Sequence, residues 1–158
     1  MQIIQESLAG LAVGAPQAYR NLALFPLLAT ADAAPGYILL DEALEQNLAR
    51  ITEVSQGGSV PELAFENDAT ARVLLVDGEQ LVGARQNRIL NISILVPAGK
   101  KLTIPVSCCE QGRWGYTGSR QFASSDSALF ARAKAKKMLR VSESMRSSGE
   151  RRSHQSEI

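Results

Sequence analysis

Asp77, Glu79 and Glu110 are the acidic residues of the stretch Val76 to Tyr116, and they share it with Gln86, Asn87, Arg88, Arg113 and Trp114. These side-chain types can do chemistry together. Three carboxylates at one end of a sheet can hold Mg²⁺ through oxygen or supply a general base. The residues do not choose between a metal and a metal-free base. Guanidinium groups beside amides suit phosphate and ribose, because arginine grips phosphate with two parallel N–H donors. Gly83, just before Arg85-Gln86-Asn87-Arg88, would let a backbone approach a ligand closely. Trp114 is the one tryptophan of the chain and can stack on a base, a sugar or an arginine.

A plainer reading stands beside each group. Asp77-Gly78 can simply make a turn, with Glu79 and Glu110 solvated. The Arg85–Arg88 segment can be a polar loop, and Trp114 can plug one end of a core. Cys108 and Cys109 are adjacent, so in a strand they point to opposite faces and do not form a relaxed disulfide. The sole histidine, His154, lies in the tail, far from both thiols. A Cys–His pair would need that tail to fold back, and a zinc site lacks ligands.

The elements that would position these residues are mostly strands. Leu22 to Leu28 is an apolar run cut by Pro26, which marks a strand that ends or bends there. Ala31 to Gly36 reads as a loop. Asp41 can cap a short helix to Leu48, with Leu44 and Leu48 on one face. Arg50–Val54 and Val60–Asn67 alternate as strands, joined by the flexible Ser55–Ser59. Val73–Val76 is apolar throughout, and Asp77-Gly78 predicts a hairpin back along Gln80–Ala84. Leu90–Val96 and Leu102–Cys108 alternate and predict a second hairpin around Pro97–Lys100. Pro105 predicts an edge or a bulge there. From Ser124 or Asp126 a helix is expected to about Ser147, with an apolar stripe through Leu129, Phe130, Ala133, Met138, Val141 and Met145, and Gly149 ends it.

This order predicts an α+β fold, mostly β: an antiparallel sandwich or partial barrel with one short inserted helix and a long C-terminal helix. The organisation expected is a β-rich core over 1–119, a basic helix over 120–148 packed on that core or on a partner, and a flexible tail over 149–158. Aromatic residues make up only 5% of the 158, so the core should be aliphatic. Up to Ser119 there are eight Lys/Arg against twelve Asp/Glu, and from Arg120 nine against four, giving the net charge of +1. An acidic body with a basic end can dock on itself or on a partner. The helix positives are spread around and aromatics are few, which argues against a nucleic-acid face. The first residues lack a basic segment and a long apolar run, so neither a signal peptide nor a membrane span is expected. A reduced, cytoplasmic setting is the expectation.

Three segments carry a resemblance: Gly-Gly-Ser-Val-Pro-Glu-Leu at 57–63, Leu-Val-Asp-Gly-Glu-Gln-Leu-Val-Gly-Ala-Arg-Gln-Asn-Arg at 75–88, and Ile-Pro-Val-Ser-Cys-Cys-Glu-Gln-Gly-Arg-Trp at 104–114. Together they resemble a bacterial family, the ADP-ribosylglycohydrolase- and rhodanese-phosphatase-associated protein (ARPP) domain, from about Tyr19 to the end. The resemblance implies a role near ADP-ribose, NAD or related phosphorylated nucleotide metabolites. It places Arg88 and Arg113 on phosphate, Gln86 and Asn87 on ribose, and Trp114 in stacking. Asp77, Glu79 or Glu110 would then be base or metal ligand. Lysine is common in the family where this chain has Arg85. The family also implies a further helical and sheet portion beyond Ile158. The competing expectation is a scaffold without catalysis that self-associates or docks a partner through the C-terminal helix.

Overall fold

The computed structural model describes residues 2–29, 35–110, 112–116 and 118–153. The chain forms two compact units, Met1–Pro35 and Gly36–Ile158.

In the first unit, helix α1 (Gln2–Ala9) leads into two nested antiparallel pairs. Strand β1 (Leu11–Val13) pairs with β4 (Leu27–Ala29), and β2 (Gln17–Tyr19) with β3 (Leu22–Leu24). Pro26 sits between β3 and β4, where its missing N–H breaks the apolar run as expected. The Pro26 carbonyl accepts from the Gly14 N–H at 2.8 Å and carries the ladder across the break. Leu22, Leu24, Leu27 and Leu28 are each more than half exposed. The expected Ala31–Gly36 loop falls mostly outside the described residues.

The second unit holds the candidate residues. Its strands and helices are β5 (Tyr37–Leu39), α2 (Leu40–Glu45), β6 (Ala49–Glu53), β7 (Glu62–Asn67), β8 (Arg72–Leu75), β9 (Glu79–Gly83), β10 (Arg88–Leu90), β11 (Ile94–Val96), β12 (Lys101–Cys108), β13 (Phe122–Ala128) and α3 (Ala131–Ser148). Six strands form one antiparallel sheet in the order β13-β9-β10-β12-β7-β6. An isolated bridge between Thr52 of β6 and Gln121, just before β13, brings the two edges together, so the sheet curls into a partial barrel. A smaller sheet, β11-β8-β5, lies beside it, with β5 parallel to β8. The core is aliphatic apart from Phe65 and Phe122: Leu40, Ile51, Leu63, Leu75, Leu81, Leu90, Val96 and Ile104 are fully buried. The mostly β, partial-barrel expectation holds, and so does the helix stop at Gly149, which takes φ +75°; the short helix after Tyr37–Leu39 forms, but Leu39 rather than Asp41 is its N-cap, Asp41 lies in its first turn, and it ends at Glu45 rather than Leu48.

The hairpins fall elsewhere than expected. Strands β8 and β9 flank Asp77-Gly78 but do not pair; they lie in different sheets. Only Gly78 of that dipeptide has positive φ, at 87°, so the type I′ turn is not formed. The pairing runs instead across Gly83–Asn87. Val73 faces Val96, Leu75 faces Ile94, Gln80 faces Ile89 and Leu81 faces Arg88, one continuous register. Residues 72–83 and 88–96 thus form a single long hairpin, bent where both strands step from one sheet to the other. Asp77-Gly78 is one step. Asn91–Ser93 is the other, held by the Ser93 hydroxyl, which accepts from the Asp77 N–H at 3.0 Å.

This bend also corrects the second hairpin. β12 pairs with β10 but not with β11, so of Leu90–Val96 only Leu90 is in register with Leu102–Cys108, opposite Val106. Pro105 lies in a central strand rather than at an edge. Its carbonyl accepts from the Asn91 N–H at 3.1 Å, so its missing donor falls where β10 leaves the sheet.

The last helix begins later than expected, at Ala131. Ser124-Ser125-Asp126-Ser127 are weak helix formers, because their short polar side chains compete for local backbone groups. The free edge of β9 offers a ladder, and Phe122–Ser124 take it opposite Leu81–Gly83.

Candidate functional site

The tip of the long hairpin, Gly83–Arg88, faces the loop that follows β12, and side chains sew the two together. Arg113 is the main stitch. Its Nη2 donates to Glu110 Oε2 at 2.7 Å and Asn87 Oδ1 at 3.0 Å, and its Nη1 to the carbonyls of Ala84 and Gly115 at 3.2 Å each. Glu110 also accepts from the Asn87 N–H at 3.2 Å, and the Glu110 carbonyl accepts from the Gln86 amide. Asn87 Oδ1 accepts from the Gly83 N–H at 3.1 Å. The hydrogen bond from Arg113 holds the Glu110 carboxyl below its usual range. Gln86, Asn87, Glu110 and Arg113 are therefore brought together, as the sequence suggested, but they satisfy one another.

Gly83 is needed here for a reason internal to the fold. Its φ is +127°, and a Cβ would lie 2.6 Å from the Gln121 carbonyl oxygen. The backbone that approaches Gly83 closely belongs to the strand beside it.

Arg88 is fully buried. Its Nη1 donates to the Gln86 carbonyl at 2.9 Å and to Gln86 Oε1 at 2.8 Å. Burial pushes its pKa down. The Arg88 guanidinium lies 5.5 Å from the Trp114 ring.

The outward face of this network is cationic and aromatic. Arg85 sits between two rings, 5.7 Å from Trp114 and 4.8 Å from Tyr116, and Arg120 lies 5.5 Å from Tyr116 on the same loop. Gln56, Arg85, Tyr116 and Arg120 line a cleft of about 280 Å³. The Arg85 Nη2 donates to the Gln56 carbonyl at 2.6 Å. None of Arg85, Arg88 and Arg120 makes an ion pair with a described carboxylate, whereas Arg113 and Arg50 do.

Behind the cleft stands Glu53, the last residue of β6. Both of its carboxylate oxygens are buried without a hydrogen-bond partner among the described residues, and so are Arg85 Nε and Arg88 Nε. A Cβ on Gly58 would lie 3.1 Å from Glu53 Oε2, 3.1 Å from Arg85 Cδ and 3.2 Å from Trp114 Cζ2. Glu53, Arg85 and Trp114 thus converge on one backbone position. Sequence reasoning passed over Glu53, Tyr116 and Arg120. The available signal was a charged residue ending an alternating strand directly before a Gly-Gly loop.

Asp77 and Glu79 lie apart from this cluster. Asp77 Oδ1 pairs with Lys137, a fully buried lysine of α3, whose Nζ also donates to the Leu90 carbonyl at 2.5 Å. Burial pushes Lys137 below the usual lysine range, against the opposing pull of Asp77. Glu79 Oε2 accepts from the Val76 N–H at 3.2 Å, and burial raises its pKa. The expected gathering of Asp77, Glu79 and Glu110 is not formed: no group of three His, Cys, Asp or Glu among the described residues is placed to hold a metal ion.

The Cys109 thiol is pushed up to about 11 by burial, with Cys108 adding to it, so it is a protonated thiol at neutral pH. His154 and Gln111 lie outside the described residues. A larger cleft, about 620 Å³, opens between α2 and β13, but its charged lining is Asp41, Glu45 and Asp126. An acidic wall of that kind repels a phosphate, so its greater size does not make it the phosphate site.

No helix among the described residues is long and apolar enough to cross a membrane. No curated protein and no solved structure matches the chain. Residues 10–158 match the ARPP-1 family profile, described as the ARG and Rhodanese-Phosphatase-superfamily-associated Protein domain. That span covers nearly the whole sequence and includes both loops of the stitched network, and the chain belongs to the ARPP-1 family.

Proposed function

We propose that this domain binds a phosphorylated nucleotide metabolite of the ADP-ribose or NAD kind at the Gln56–Arg85–Tyr116–Arg120 cleft. The carrying observation is the pair Arg85 and Arg120, two guanidiniums on aromatic rings that make no ion pair with a carboxylate among the described residues, although Glu53 packs close to Arg85. Such groups favour a di-anion, and the flat faces of Trp114 and Tyr116 favour a base or sugar beside it. The family's association with ADP-ribosylglycohydrolases points to the same ligand class.

Within this reading the residues divide their work. Arg85 and Arg120 hold phosphate and Trp114 stacks. Gln86, Asn87, Glu110 and Arg113 keep the two loops in register, and Arg88 supports Trp114 from behind. Binding is favoured over hydrolysis, because the Glu110 carboxylate is committed to Arg113 and Asp77 to Lys137. A thermal-shift screen against ADP-ribose, NAD, AMP and ribose phosphates, with and without Mg²⁺, tests the proposal. A ligand at 100 times its dissociation constant adds about 2.7 kcal/mol of stability. No shift with any of them contradicts the reading.

A second reading rests on α3. Only Ala133, Lys137 and Val141 of that helix are buried, while Met138, Leu139 and Met145 stand about half exposed. A helix with this outer face can serve a non-catalytic scaffold that self-associates. Light scattering across a concentration series tests it: a monomer at all concentrations contradicts it.

A further inference from the structure

Four buried polar atoms on Glu53, Arg85 and Arg88 have no hydrogen-bond partner among the described residues: the two acceptor oxygens of Glu53, which lies against Gly58, and the donor N–H groups of Arg85 Nε and Arg88 Nε. An unpaired buried polar group is costly, and a buried carboxylate accepts but cannot donate. The two sets of demands are complementary to a single kind of molecule. It must bring hydroxyl donors for Glu53 and anionic oxygens for the arginines. Two carboxylate oxygens side by side match two hydroxyls on neighbouring carbons. We propose that Glu53 accepts from both hydroxyls of a vicinal diol, so that the site selects ribose phosphates over phosphate alone. This rests on the anion-binding reading of the Arg85–Arg120 cleft and adds the sugar to it.

The loop at Gly58 stands against Glu53. Ser55–Ser59 contains Gly57 and Gly58, and Gly58 (φ +75°) lies against Glu53, Arg85 and Trp114 with no side chain of its own. The link from Arg85 Nη2 to the Gln56 carbonyl ties this loop down. A phosphate at Arg85 replaces that carbonyl as acceptor, frees the loop and opens the way to Glu53. Anion binding and diol binding are thereby coupled through one arginine.

The test is calorimetric titration of AMP and of 2′,3′-dideoxy-AMP into the wild-type chain and into Glu53→Gln. These ligands share phosphate and base and differ only in the diol. Wild type should bind AMP at least about tenfold more tightly than the dideoxy compound, the loss expected for hydrogen bonds to a charged group. Glu53→Gln should bind both at about the dideoxy level. Equal affinity of wild type for the two ligands overturns the diol assignment and leaves the anion-binding reading standing. Discrimination kept in Glu53→Gln overturns it as well. Binding of neither ligand to wild type, with ADP-ribose also silent, removes both readings. The wild-type comparison decides the matter even if Glu53→Gln does not fold.

Discussion

Arg113 donates to Glu110 at 2.7 Å and, through the same nitrogen, to Asn87 at 3.0 Å, which binds the loop after β12 to the tip of the long hairpin. Three residues that read as ligand contacts in the sequence are thus one another's partners. Arg113→Ala should remove four bonds, two of which, to Asn87 and to the Ala84 carbonyl, join the loops, and lower stability by about 1–3 kcal/mol. It should also weaken ligand binding, because Trp114 and Arg85 lose their support. Chemical denaturation and a ligand titration of the same variant check both effects. A fully stable variant that has merely lost affinity would place Arg113 on the ligand instead.

Lys137 and Asp77 fix α3 to the bent hairpin. Lys137→Ala leaves Asp77 buried without its main partner, and the expected loss is about 3–5 kcal/mol. The double variant Asp77→Asn/Lys137→Met should recover most of that loss, since it removes both charges together. Urea unfolding of the single and double variants measures the difference. Equal damage in both would show that the pair's charges are not what holds the helix.

Gly83→Ala should destabilise by about 1–3 kcal/mol, because the position needs positive φ and lies against the Gln121 carbonyl. The loss should appear in thermal unfolding without any ligand. An unchanged melting temperature would contradict the close approach.

Burial raises the Glu79 pKa, so this carboxyl binds its proton more tightly folded than unfolded. The sign follows: its contribution favours the fold below the unfolded glutamate value and is lost as pH rises through the folded one. Glu79→Gln should therefore gain stability relative to wild type between about pH 4 and pH 7. Melting temperatures across that range test it, and a constant difference would refute the shift. Cys109, at about 11, should react slowly with iodoacetamide at neutral pH and faster only in strong alkali.

The sequence made some of this legible and hid the rest for physical reasons. Strands β6, β7 and β12 are readable because one face of each is buried and the period of two survives. The pairing of strands was not readable. Asp77-Gly78 carries the strongest local turn signal, yet the register that buries Val73, Leu75, Leu81 and Leu90 closes across Gly83–Asn87. Local turn chemistry lost to burial. β13 was hidden for the same reason, since Ser124–Ser127 form a strand only because β9 has a free edge. The polar cluster of Gln86, Asn87, Glu110 and Arg113 was found by density of residue types. Which of its members face outward depends on hydrogen bonds that no spacing encodes. Glu53 and Arg120 come from opposite ends of the curled sheet and meet the cluster only through closure of the barrel, marked by the Thr52–Gln121 bridge.

The most direct test of the account is calorimetry of ADP-ribose against wild type and against Arg85→Gln/Arg120→Gln, each at low and high salt. Binding to wild type should weaken with salt and be lost in the double variant, which should still melt cooperatively. Binding that survives loss of both arginines, or a wild type that binds no phosphorylated ligand, would contradict it.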